Sequence, residues 1–228
     1  MKQKISQLMF EKYVNFQRPL PGYNPAATVE WVREYSGLPW LRLEIDVPHE
    51  SILEEIQKVK HLLVPHRDSY NEHQGWQSFC IHGTGYADTQ HQEGTDLPYH
   101  WIAEAQSLMP FTVNYFKNQW PSSGYYRLRI MLLEPGGYIT IHRDQDQACL
   151  NPINIAITQP EHCNFVMENH GTVPFEPGTA YWLDISNRHV VFNNSNQPRW
   201  HIIVHQTNFD HPDFGSMVVN SYKNLYNE

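Results

Sequence analysis

The chain has 228 residues, a formal net charge of −8 and 40% hydrophobic residues, enough for one large domain with a sizeable core. Its 16 Lys and Arg are scattered among 24 Asp and Glu, so no basic patch marks a nucleic-acid partner. No apolar run approaches the roughly 20 residues that span a bilayer, and none follows Lys2 and Lys4 as a secretory leader would require. Cys80, Cys149 and Cys163 form no C-x-x-C pair, which argues against a disulfide framework or structural zinc and for a reducing, cytoplasmic setting.

In chain order, apolar residues at Ile5, Leu8, Met9, Tyr13 and Phe16 suit an amphipathic helix over 4–16. The proline-rich stretch 18–25 breaks it, and a short helix is expected at 28–35. Residues 41–47 alternate as a half-buried strand. From Pro48, the stripe Ile52, Ile56, Val59 and Leu63 predicts a helix stopped by Pro65. A strand is expected at 76–81, and then a polar loop over 82–96, which could act as a lid. Residues 97–120 are helical in pattern but broken at Pro110.

After Gly124 the character becomes β. Strands are expected at 125–134, 138–144, 152–158, 163–168, 179–185, 189–193 and 199–206, with a tight turn at Pro135-Gly136-Gly137. Such spacing suits a sandwich, barrel or jelly roll. Residues 209–228 show no clear period. The expected organisation is one domain: an N-terminal α/β support over 1–123, a β core over 124–206 and a tail over 207–228.

The chemistry concentrates around His142-Arg143-Asp144. In a strand, alternate side chains share a face, so His142 and Asp144 point one way and Arg143 the other. His189, borne on a later strand, completes a set of two histidines and one carboxylate. That is the facial triad of non-haem Fe(II) oxygenases, with positions left open. Arg199 stands ten residues further on, a rigid fork suited to the distal carboxylate of 2-oxoglutarate. His201 shares its parity and can line the same pocket. Other donors are available: Asp146 shares parity with Asp144, and His162, His170 and His205 are further histidines. Glu134 and Asp184 read as turn or surface carboxylates. Arg127, Arg129 and Arg143 are candidates for a substrate carboxylate, and Trp40, Trp76 and Trp101 could wall a pocket. A non-catalytic jelly-roll protein that binds a metal or small acid, or a cupin-like enzyme with other chemistry, is the alternative.

Leu133-Glu134-Pro135-Gly136-Gly137 running into His142-Arg143-Asp144, then the strands 151–157 and 178–184, His189-Val190-Val191-Phe192-Asn193 and Arg199-Trp200-His201-Ile202-Ile203, resemble the aspartyl/asparaginyl β-hydroxylase family, which includes free-proline hydroxylases. The resemblance spans about residues 125–206. It implies a mainly β fold with α elements, a double-stranded β-helix (jelly roll, cupin-like) with an N-terminal α/β layer. It also implies Fe(II), 2-oxoglutarate and O2, and hydroxylation of an aliphatic C–H of an amino acid, free or peptidyl, with succinate and CO2 as co-products. His142, Asp144 and His189 match the metal ligands, and Arg199 matches the 2-oxoglutarate anchor. The peptidyl enzymes lack the carboxylate ligand, so Asp144 points to the small-substrate branch. His201 stands where many 2-oxoglutarate enzymes place Ser, and Asn151 where the peptidyl enzymes place a second Arg. The partner expected is a small amino acid or peptide, with neither nucleic acid nor membrane.

Overall fold

The computed structural model describes residues 25–66, 73–88 and 98–225; the expected helix over 4–16 and most of the expected lid lie outside them. Helix α1 (Pro25–Tyr35) precedes strand β1 (Trp40–Leu43), helix α2 (His49–Val59) and strands β2 (Val64–Pro65), β3 (His73–Gly83) and β4 (His100–Trp101). Helices α3 (Ala103–Leu108) and α4 (Pro110–Asn118) follow, and then strands β5 (Tyr125–His142), β6 (Ile153–Ala156), β7 (Cys163–Met167), β8 (Gly171–Thr172), β9 (Ala180–Leu183), β10 (His189–Asn193) and β11 (Arg199–Gln206). Helix α5 (Pro212–Asn224) closes the chain. No described helix is long and apolar enough to cross a membrane.

The strands form one antiparallel sheet in the order β1-β9-β6-β11-β5-β10-β7-β8, with β3 also on β5. It curls into a jelly roll because β5 serves both halves: Leu128–Leu133 pair with β11, and Tyr138–His142 pair with β10. The tight turn expected at Pro135-Gly136-Gly137 is instead a bend within this strand. The chain does not reverse there; it passes from one half of the roll to the other. Opposite the bend, β3 slips register between Gln74 and Trp76, and Gly136 sits at φ +74°, where glycine avoids the Cβ penalty. At Gly137 the constraint is space: a Cβ would stand 2.8 Å from the carbonyls of Gln74 and Glu134. Gly137→Ala should lower unfolding free energy in denaturant titration by about 1–3 kcal/mol; an unchanged midpoint would show that the bend relaxes freely.

Alternation along β5 and β11 divides the molecule into two cores. Leu128, Ile130, Leu132, Trp200, Ile202 and Val204 face outward against the helices, packing with Ile52, Ile56, Phe116 and Phe214. Leu133, Ile139, Phe165, Met167, Tyr181 and Val191 fill the inside of the roll. Burial on both faces is why β5 reads as a nearly unbroken apolar run. Helix α2 also buries Glu55, whose carboxylate accepts from Thr112 N and Thr112 Oγ1 at 2.8 Å and from Phe111 N at 3.0 Å. It thereby caps the N-terminus of α4, which has no side-chain cap of its own.

Three expectations change. Strands β1 and β3, from before residue 124, join the same sheet as the later strands rather than a separate layer. The strand expected over 41–47 stops at Leu43. The tail expected without period contains α5, whose buried Phe214, Met217, Val218, Ser221 and Tyr222 lie at helical spacing. There Trp182 meets Phe214 edge-on at 5.5 Å, and Trp31 meets Tyr222 at 5.8 Å.

Candidate active site

The roll encloses a cavity of about 280 Å³. At one wall, His142 ends β5, Asp144 follows it, and His189 opens β10 directly opposite His142 in register. His142 Nε2 lies 3.4 Å and His189 Nε2 3.5 Å from Asp144 Oδ2. Among the described residues this is the one group of side chains close enough for one cation to touch three donors. Backbone carbonyls set the imidazole tautomers. His142 Nδ1 donates to Thr140 O at 2.7 Å and His189 Nδ1 to Asn187 O at 2.9 Å. A carbonyl can only accept, so each Nδ1 carries the proton and each Nε2 offers its lone pair to the cavity. Two neutral nitrogens and one carboxylate oxygen fit a divalent first-row metal such as Fe(II). Phe165 stacks on His189 with the rings 8° from parallel and 5.1 Å apart, fixing that ring's plane.

Arg199 starts β11, lines the same cavity and is 1% exposed. Its Nε donates to Gln159 Oε1 at 3.3 Å, its Nη1 donates to His201 Nδ1 at 3.1 Å, and its guanidinium lies 5.2 Å from the Phe175 ring centre. Nη2 is buried without a partner, and no carboxylate among the described residues pairs with the group. An unbalanced buried guanidinium is costly, so its retention fits an anionic guest. Burial lowers its pKa, and a guanidinium nonetheless stays protonated in proteins.

His201 must accept from Arg199 and is therefore neutral. Burial first, then Arg199, Arg129 and His66, hold its pKa well below 6.5. The unfolded chain thus takes up a proton near pH 6.5 that the folded chain refuses, and folding stability falls as pH drops below that value. Replacing His201 by Gln should flatten this fall in melts between pH 7 and pH 5. Part of the slope should persist, because burial also lowers His82; an unchanged slope would mean that His201 already binds its proton when folded.

Arg127 and Arg129 both line the cavity, as their shared parity predicts. Arg129 Nη2 donates to His205 Nε2 at 3.3 Å, and Arg127 Nη1 lies 3.9 Å from Asp88 Oδ1. Arg143 does not join them. Its side chain is 60% exposed and pairs with Asp146 at 3.2 Å, because it alternates away from His142. That pair also removes Asp146 from the site, and His162 and His170 are exposed. Asp184 is buried rather than on the surface; its Oδ1 accepts from Ser186 Oγ at 2.7 Å and from Cys149 N at 3.3 Å, bracing the loops that flank it. Trp76 lines the cavity, whereas Trp40 borders a separate groove and Trp101 meets His82 edge-on. Unforeseen in the sequence are Gln159, Phe165 and Phe175, and also His66, whose Nδ1 lies 3.0 Å from Ser78 Oγ. Only Phe165 had a signal, its inward parity on β7.

The family model for Aspartyl/Asparaginyl beta-hydroxylase matches residues 47–209. No curated protein matches the chain at a significant level. Solved structures similar to it include a prolyl-4-hydroxylase from Pseudomonas putida, at 16% identity and TM-score 0.42 over 80% of this chain and 98% of that one. A prolyl hydroxylase from Trichoplax adhaerens, in complex with a peptide fragment of the hypoxia inducible factor oxygen degradation domain, has 10% identity and TM-score 0.46 over 93% and 96%. The non-heme α-ketoglutarate-dependent epimerase SnoN from nogalamycin biosynthesis has 13% identity and TM-score 0.47 over 82% and 84%. With its matched span covering most of the sequence and a His-Asp-His triad in the roll, the chain belongs to the aspartyl/asparaginyl β-hydroxylase family, a dioxygenase family that uses Fe(II), 2-oxoglutarate and O2.

Proposed function

We propose that the protein hydroxylates an aliphatic C–H of an amino acid, free or peptidyl, with His142, Asp144 and His189 holding Fe(II) and Arg199 holding the distal carboxylate of 2-oxoglutarate. The observation that carries this is the cavity itself, which is lined by both a three-donor cluster and a buried, partly unsatisfied guanidinium. Fe(II) with 2-oxoglutarate supplies the oxidising power, one oxygen atom of O2 entering the substrate and the other leaving in succinate as CO2 is lost.

The chain's own residues do the rest. Thr140 O and Asn187 O keep the Nδ1 protons in place, so both imidazoles meet the metal neutral. His201, itself neutral, and Gln159 fix the Arg199 fork. Ile139, Val191 and Phe165 line the space between and keep water from it. The cavity's modest size, at the low end for small-ligand sites, favours a compact substrate. The buried, unpaired Cys80, Cys149 and Cys163 suit the reducing, cytoplasmic setting inferred from composition.

The test is succinate formation by Fe(II)-loaded protein in air, with single amino acids and short peptides added in turn. Iron-dependent succinate that rises with one of them is expected. Absence of succinate from every mixture would leave a binding protein rather than a hydroxylase.

A further inference from the structure

The groove bordered by Trp40 lies outside the active site, beside β1 and the end of α5, and encloses about 460 Å³. Trp40, Ile45 and Leu225 give it apolar walls, and Leu225 is 43% exposed. Three carboxylates, Glu44, Asp46 and Glu176, line it against one cation, Arg42; all three are exposed. Apolar surface rimmed by charge marks an interaction site, and the excess of acid asks for a basic partner. The sequence holds such a partner. Residues 1–24 lie outside the described residues, and they carry Lys2, Lys4, Lys12 and Arg18 against Glu11 alone, in a chain of net charge −8. They also carry Ile5, Leu8, Met9, Tyr13 and Phe16. Their point of entry is beside the groove. Helix α1 hands the chain to the Trp40 end of β1. Helix α5 finishes at the other end of β1, where Ser221 Oγ accepts from Glu44 N at 2.7 Å and Asn224 Nδ2 donates to Glu44 Oε1 at 3.1 Å. The two helices pack on each other through Trp31 and Tyr222. With their C-termini at opposite ends of β1 they run antiparallel, so the chain enters α1 at Pro25 on the side where α5 ends. The groove is then about one helix-to-helix spacing away, roughly 8–10 Å. The segment reaches well beyond that, at about 3.3 Å for each extended residue.

We propose that residues 1–24 dock in this groove of their own chain. Their basic side chains meet Glu44, Asp46 and Glu176, and their apolar side chains cover Trp40, Ile45 and Leu225. Exposed ion pairs are individually weak. The apolar contacts therefore hold the segment, the charges select it, and salt loosens it by screening. The inference stands apart from the oxygenase reading above.

The experiment uses the full chain. Unlabelled and isotope-labelled protein are mixed in equal amounts and treated with a water-soluble carbodiimide, which joins an amine directly to a carboxylate in contact with it. The cross-linked peptides are then mapped by mass. Bonds from Lys2, Lys4 or Lys12 to Glu44, Asp46 or Glu176 are expected, each within a single isotope. Absence of any such bond overturns the proposal. Mostly mixed-isotope bonds also overturn it, because the segment would then seat in a second copy. Trypsin supplies an independent measurement, since cleavage after Lys12 tracks how often the segment lifts away. Cleavage in the wild type should be at least about fivefold slower than in a synthetic peptide of residues 1–24, and should quicken as salt is raised. Neutralising the groove with Glu44→Gln, Asp46→Asn and Glu176→Gln together should bring cleavage to within about twofold of the peptide. Wild-type cleavage as fast as the peptide's overturns the proposal, and so does a triple variant with wild-type circular dichroism that is cut no faster than the wild type.

Discussion

Arg199→Met should yield a protein at least as stable as the wild type that no longer answers to 2-oxoglutarate. The guanidinium is 1% exposed, with an unpartnered Nη2 and no carboxylate beside it among the described residues. Replacing such a charge by an apolar side chain of similar reach removes a desolvation cost. Its hydrogen bonds to Gln159 and His201 are a small loss beside that. The fork, however, is what a dicarboxylate would grip. Losing two charge-assisted bonds, each worth about 1.5–3 kcal/mol, weakens binding by at least about a hundredfold. Thermal melts with and without 2-oxoglutarate read both effects, because a ligand bound only by the folded state raises the midpoint. The wild type should shift upward with the acid and the variant should not. A variant that still shifts fully would move the anchor elsewhere in the cavity.

Asp144→Ala should abolish iron retention and succinate formation while leaving the fold intact. The carboxylate is the only charged member of the triad, and its Oδ2 is the atom nearest both imidazole nitrogens. Disturbing the support of a metal ligand already costs about 10–100-fold, so removing the ligand itself should cost at least the upper end of that range. Stability should barely fall, because the side chain is partly exposed at the cavity mouth. Metal content after gel filtration and circular dichroism separate the two effects. Iron retained at wild-type stoichiometry would mean that the triad is not the metal site.

Much of this site was legible from strand parity. His142 and Asp144 face together with Arg143 turned away, Arg199 shares the cavity with His201, and Arg127 and Arg129 share its wall. The relations among Arg127, Arg129, Arg199 and His201 follow from the two-residue period of a strand, whereas Asp144 lies in the bend just past the end of β5, so its approach to His142 is set by that bend and not by parity. The bend at Pro135-Gly136-Gly137 was not legible, because the glycines serve a close approach to β3 rather than a reversal, and only the partner strand reveals that. Helix α5 was hidden by composition: Ser221 lies in its buried stripe and Gly215 within its first turn. Gln159, Phe165 and Phe175 reach Arg199 and His189 only once the two halves of the roll close, a contact that no local pattern encodes.

The most direct test of the account is an anaerobic titration of metal-free protein with Fe(II) and then 2-oxoglutarate, recorded in the visible region, with Asp144→Ala and Arg199→Met alongside. The expected result is a charge-transfer band in the wild type that saturates at one equivalent of each, no band in Asp144→Ala, and a band in Arg199→Met only at far higher 2-oxoglutarate. A wild-type protein that neither binds Fe(II) nor develops the band would contradict it.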